Sequence, residues 1–170
     1  MNVIEAIRTK RAVRRYRDEP LPDDVVHAIL HAGRRAQSAK NDQPWHFLAI
    51  RDRANLRALA ATSPNIAYIA GAALCVALVT PPPSQRKTIL FDAGQAATCM
   101  QLAAWELGVV SCLGTVWEPG KAGALLALPG GRQVDLLVAF GYPLSEDARP
   151  RQGRKGGRRQ LDDVVRWERW

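Results

Sequence analysis

Apolar and polar positions alternate along the chain in short helical and strand-like runs, separated by turns that carry proline or glycine. Near the start, Val3, Ile4 and Ile7 recur at helical spacing and predict a short helix ending near Arg11. "RYRDEPLPDD" then reverses the chain, since prolines set among acids cannot sit inside a helix. Pro22-Asp23-Asp24 opens a second helix with its acids at the positive end, and Val25, Val26, Ile29, Leu30 and Gly33 give it a buried stripe that stops near Ala36. Residues 45–51 read as a strand, 53–61 as a small helix ended by Pro64-Asn65, and Ala73 to Val79 as a second strand.

"TPPPSQRK" turns the chain at the surface. From Ile89 to Leu107 there is no proline and a single glycine, which predicts the longest helix. Its small residues Ala93, Gly94, Ala96, Ala97, Ala103 and Ala104 permit close backbone approach, so its expected place is the centre of the domain. Gly108 closes it. "VVSCLGTV" reads as a strand and bend, Glu118 to Leu128 as a helix, and "QVDLLVAFGYP" as the last strand. Alternation of this kind gives an α/β or α+β domain. The expected organisation is one domain over residues 1–143, then an extension over 144–170 that becomes linker-like before "QLDDVVRWERW" regains a short amphipathic pattern.

The 170 residues, 47% hydrophobic and 24% charged, suit one ordinary core. The longest apolar run, Ile66 to Val79, is shorter than the ~17–25 residues of a membrane helix. Cys75, Cys99 and Cys112 are far apart, as free thiols are, and nothing at the start resembles a secretory signal, so the expected compartment is the reducing cytoplasm.

Charge adds a candidate chemistry. The net charge is +8, and half of the 24 basic residues fall in two clusters: Arg8, Lys10, Arg11, Arg14, Arg15 and Arg17, then Arg149, Arg151, Arg154, Lys155, Arg158 and Arg159. A solvated surface, two arms around a phosphate and a nucleic-acid footprint are all open on this distribution. Against the last, the aromatic residues are few and not interleaved with the basic ones. Lys10 and Arg14 share a side if helical geometry continues, and would meet phosphate with charge-assisted bonds. Ser38 and Asn41 offer neutral donors and acceptors suited to a heteroaromatic edge. His27, His31 and His46 have no zinc-site spacing, and no G-x-S-x-G, G-x-G-x-x-G or Walker sequence is present.

Five stretches, in order, resemble the FMN-dependent nitroreductase family. "KRAVRRY" is similar to its phosphate-binding segment and "SAKNDQPWHF" to its Ser-x-x-Asn-x-Gln-Pro-Trp motif. "DAGQAATCMQLAAWELGVVSC" resembles its central helix and following strand, "LPGGRQVDLLVAFGYP" its last sheet strand, and "RRQLDDVVRWE" its ending. The resemblance implies a three-layer α-β-α domain of α+β class, with a mixed, largely antiparallel sheet and a long central helix. It implies FMN held at its phosphate by Lys10, Arg11, the amide of Ala12 (where relatives usually carry serine) and Arg14, with Arg158 or Arg159 returning from the tail. Gln37, Ser38, Ala39 and Asn41 would face the flavin ring, Asn65 its pyrimidine side, and a bend at Leu113, Gly114 and Thr115 its other face. Lys40 is placed toward an anionic substrate or the nicotinamide cofactor, although a solvent-facing role suits it better. The implied reaction is transfer of reducing equivalents from NADH or NADPH through flavin N5 to a nitroaromatic, quinone or related acceptor. No side-chain acid or base is required. The implied assembly is a homodimer with FMN at the interface and each tail over its partner. The alternatives are another flavin reaction of the same fold, such as reductive dehalogenation, and a basic nucleic-acid-binding protein. The short "TPPPSQRK" implies a more open flavin face.

Overall fold

The computed structural model describes residues 2–145 and 157–170. Four strands, β1 (His46–Ile50), β2 (Leu74–Thr80), β3 (Val110–Thr115) and β4 (Gln133–Gly141), form one sheet in the order β1-β2-β4-β3, with every neighbouring pair antiparallel. Outside the named strands, Ala12 makes an isolated parallel bridge to Ser111 of β3. β2 reads as an unbroken apolar run because both its faces are covered. Leu74, Val76 and Leu78 point to one layer with Val138 and Phe140, while Cys75 and Ala77 point to the other with Leu137 and Ala139.

Helices supply those two layers. α2 (Asp23–Arg34) and α4 (Thr88–Glu106) pack on the first face, with Ile29, Ala93, Ala96, Ala97 and Met100 in the core. Gly33 lets the pair approach: a Cβ there would stand 2.2 Å from the Met100 terminal methyl. On the second face lie α3 (Arg53–Ala60), a 3-10 run over Pro64–Gly71, and α5 (Pro119–Leu125). Each fully buried Leu, Ile or Phe of these layers contributes about 1.5–3 kcal/mol. The expected three-layer α+β fold is therefore present, with α4 as its longest helix. At the end of α4 the amide of Gly108 (φ +76°) donates to the Trp105 carbonyl at 3.2 Å and that of Val109 to the Ala104 carbonyl at 2.8 Å, a Schellman closure.

Two expectations need correction. α1 spans Val3–Thr9, capped at its start by the Asn2 side chain and with Lys10 as its C-cap, near the expected end at Arg11. Beyond it the chain is extended, because the Val13 amide donates to the Ser111 carbonyl at 3.0 Å and Tyr16 bridges Pro143. Helical geometry thus does not continue to Arg14, and Lys10 and Arg14 are not helical i, i+4 neighbours. The residues Leu113, Gly114 and Thr115 do not form a bend either; they are regular β3, paired with Val138, Leu137 and Leu136.

Apolar surface is concentrated on α1 and the tail. Val3, Ile4 and Ile7 are 69%, 75% and 60% exposed, and Ala6 is the residue of α1 that is buried. In the tail, α6 (Leu161–Val164) and the residues after it leave Trp167 83% and Trp170 104% exposed. Leu90 and Phe91 on α4 are exposed as well.

Candidate functional site

The sequence-selected residues fall into two groups. The first surrounds the free edge of β3. Val116 pairs back to Asp135 while the Ser111 carbonyl accepts from Val13 off the sheet, so Ser111, Leu113 and Thr115 turn their backbone polar groups away from β4. The 3-10 run Pro64–Gly71 meets this edge: Asn65 Nδ2 donates to the Thr115 carbonyl at 2.8 Å, and Asn65 Oδ1 accepts from Ser63 Oγ at 2.5 Å. Leu113 lies between the two occupied carbonyls. Gly114 instead faces inward, where a Cβ would stand 2.5 Å from Ile66 Cγ2 and 2.7 Å from Tyr68 Oη.

The basic arm runs along the same edge. The Arg14 guanidinium lies over the Tyr68 ring, 5.6 Å from its centroid. Arg11 is folded back, its Nη1 donating to the Arg8 and Lys10 carbonyls at 2.7 and 2.8 Å, so it closes the C-terminus of α1. Ala12 is exposed beside Ser111, and Lys10 is half-buried. Desolvation lowers the Lys10 pKa, against a smaller upward pull from Cys112. Burial likewise raises the Tyr68, Tyr16 and Cys75 groups above their ordinary range, which keeps this interior uncharged behind the cations.

The second group is the turn between α2 and β1. Ser38 Oγ accepts from the Gln43 amide at 2.9 Å, and Lys40 and Asn41 are exposed. Lys40, Asn41 and Gln43 have φ of 55°, 58° and 46°. The turn is fastened to α4, through the Ala39 amide to Asp92 Oδ1 at 3.1 Å and Gln95 Nε2 to the Gln37 carbonyl at 3.3 Å. The arm is fastened to the same helix 13 residues further on, where Trp105 Nε1 donates to Thr9 Oγ1 at 3.0 Å. At 1.5 Å per residue the two anchor points are about 20 Å apart. The chain thus brings Lys10, Ala12, Arg14, Asn65, Leu113 and Thr115 together and holds Gln37, Ser38, Ala39, Lys40 and Asn41 elsewhere.

Arg158 and Arg159 are exposed in the tail, and Arg149, Arg151, Arg154 and Lys155 lie outside the described residues. Three participants escaped the sequence reading: Tyr68, hidden in an apolar run, and Asp92 and Arg86, whose partners are remote. The signal for Asp92 was an acid on the inner side of a helix whose other buried residues are uncharged. Chemically, the first group combines cations with outward strand groups and one carboxamide, and the second offers a hydroxyl, a carboxamide and an ammonium. The chemistry of that donor set is compatible with a phosphorylated, planar heteroaromatic ligand. Among the described residues no cluster of His, Cys, Asp or Glu could hold a metal ion, and no helix is long and apolar enough to cross a membrane.

Comparison with known proteins shows the family and the fold. Residues 7–70 match the Nitroreductase family. The chain is 31% identical over 196 aligned positions to an NADH dehydrogenase of Thermus thermophilus, covering 93% of this chain and 92% of that one. Its fold is similar to an FMN-dependent nitroreductase of Clostridium difficile R20291, with a TM-score of 0.83 at 21% identity over 99% and 100% of the two chains. A nitroreductase family protein of Clostridium difficile 630 superposes with a TM-score of 0.85 at 20% identity over the whole of both chains.

Proposed function

Because the chain belongs to the nitroreductase family and is an oxidoreductase, we propose that it is an FMN-dependent NAD(P)H oxidoreductase working as a homodimer, with each flavin between the β3 edge of one protomer and the polar turn of its partner. The observation that carries this reading is the separation of the two groups, whose anchor points on α4 stand about 20 Å apart along its axis, and in this reading each group is half a binding site. A two-fold copy supplies the missing half to each. The apolar side chains exposed together on α1 (Val3, Ile4, Ile7) and on α4 (Leu90, Phe91), with the two tail indoles, support an obligate partner, since apolar residues grouped on one face, unlike scattered ones, mark an interaction surface.

In this reading Lys10 and Arg14 take the FMN phosphate, with Ala12 offering its backbone and Arg158 or Arg159 completing the charge. Arg11 supports them by closing α1. Leu113 and Thr115 present the backbone groups of the β3 edge to the ring, while Gly114 packs behind them and Asn65 fixes their position. Gln37, Ser38, Ala39 and Asn41 of the partner form the opposite wall, and Lys40 stands at its solvent side. Bound FMN would supply the two-electron chemistry that links NADH or NADPH to a nitroaromatic, quinone or related acceptor. The connection from β2 to α4 contains one 3-10 turn, Pro83–Gln85, and therefore leaves room for acceptors of several rings.

Complementation between damaged protomers tests the shared site. Arg14→Ala and Asn41→Gly, the latter chosen because glycine tolerates the positive φ, should each bind FMN weakly as homodimers. After subunit exchange, about a quarter of the sites should regain wild-type affinity and NAD(P)H oxidation by statistical pairing in a two-fold dimer. No recovery, or a monomer that keeps one tightly bound FMN, would overturn the shared site. Colourless protein that takes up no FMN but binds duplex DNA with steep salt dependence would favour the nucleic-acid reading.

A further inference from the structure

Behind the turn that carries Lys40 and Asn41 lies a set of charged contacts that the binding scheme above does not use. Residues with φ near +50° relax readily unless their surroundings hold them, and here three occur within four positions. Asp92 is 1% exposed on α4. Its Oδ1 accepts the Ala39 amide at 3.1 Å, and its Oδ2, which makes no hydrogen bond of its own, faces Arg86 Nη2 at 3.7 Å. Arg86 comes from the short connection before α4 and pairs through Nη1 with Asp42, at the far end of the turn. Gln95, nearly one helical turn along α4, takes the Gln37 carbonyl. The backbone is therefore gripped at both ends while the Lys40 and Asn41 side chains remain exposed.

A buried carboxylate is unfavourable unless its partners compensate it. The Ala39 amide that Asp92 accepts belongs to this turn, and Arg86, the cation facing its other oxygen, also pairs with the turn. A carboxylate serving only the core would face the α2 packing, whose contacts in this layer are apolar. Resting on the reading of the turn as the second wall of the flavin site, we propose that Asp92 is a positioning residue for that wall: with Arg86 bridging to Asp42, it fixes the orientation in which Ser38 to Asn41 meet the ring. The ring environment, rather than the phosphate, is what Asp92 controls.

The test uses full-length Asp92→Ala and Asp92→Asn, with Arg86→Ala giving the same readings should Asp92→Ala fail to fold. In the ligand-free protein, hydrogen exchange over residues 37–43 should accelerate in Asp92→Ala while β2 and β4 keep their protection; unchanged exchange over 37–43 overturns the anchor. With flavin added, Asp92→Ala should weaken FMN and riboflavin by the same factor, roughly 10- to 100-fold, as for loss of one charge-assisted hydrogen bond. The visible circular dichroism of the bound ring should change, while the phosphorus resonance of bound FMN stays at its wild-type position. Asp92→Asn keeps an acceptor for the Ala39 amide but loses the charge that faces Arg86, and should recover only part of the affinity. A wild-type ring signal in Asp92→Ala, or a loss confined to FMN, overturns the positioning role. Wild-type protein that takes up neither flavin overturns the reading of the site itself, and the exchange experiment still decides whether Asp92 holds the turn.

Discussion

Alanine at position 114 would place a Cβ 2.5 Å from Ile66 Cγ2 and 2.7 Å from Tyr68 Oη. Neither atom can step aside alone. Ile66 is fully buried and its branched methyl is fixed by χ1, while Tyr68 Oη sits at the end of a ring that moves as one body. Relief of the clash therefore shifts the ring and the Arg14 guanidinium stacked over it at 5.6 Å. Overpacking of this kind costs about 1–3 kcal/mol. For a chain of this size each kcal/mol lowers the melting temperature by about 2–4 °C, so Gly114→Ala should melt roughly 2–12 °C lower. Thermal unfolding of the FMN-free protein by circular dichroism reads this cost. Fluorescence titration should then show FMN weakened more than riboflavin, because the displaced cation is the one assigned to the phosphate. A variant that melts like wild type without flavin, yet loses both flavins equally, would mean that Gly114 is small to admit the ring, and the packing argument would be wrong.

Other outcomes follow from the same geometry. Arg14→Ala should cost FMN binding on the order of 1.5–3 kcal/mol and riboflavin little, and equal losses in a binding titration would remove Arg14 from the phosphate site. Lys10 is held below its usual 10.5 by desolvation, and its protonated form is the one that attracts phosphate. The ratio of FMN to riboflavin affinity should therefore fall as pH rises toward 10.5, earlier than for an ordinary lysine; a flat ratio over that rise would exclude Lys10 as a contact. Deleting residues 144–170 should lower both dimer stability and flavin retention, read together by sedimentation at the flavin absorbance, and a truncated chain that stays a flavin-loaded dimer would deny the tail its role.

Much of this molecule is written locally. The apolar run of β2, the stretch without proline that becomes α4, and Gly108 at its end each follow from short-range rules, because burial on two faces, helix continuity and a left-handed cap are properties of neighbouring residues. The motifs at Lys10–Tyr16 and Ser38–Trp45 were legible for the same reason, as runs of adjacent residue types. Their geometry was not. Whether Lys10 to Arg14 continue a helix depends on Ser111, about a hundred residues away, whose carbonyl draws Val13 into an extended path. Leu113 to Thr115 become strand because β4 offers them partners, and Asp92 is tolerable in the core because Ala39 and Arg86 reach it. Helical spacing marked Val3, Ile4 and Ile7 as apolar, but spacing cannot say what covers an apolar face, and in the folded chain these three are left exposed. Residue type and periodicity are set by the chain itself, whereas the satisfaction of a given amide, carboxylate or apolar face is decided by whichever distant segment the tertiary structure brings to it.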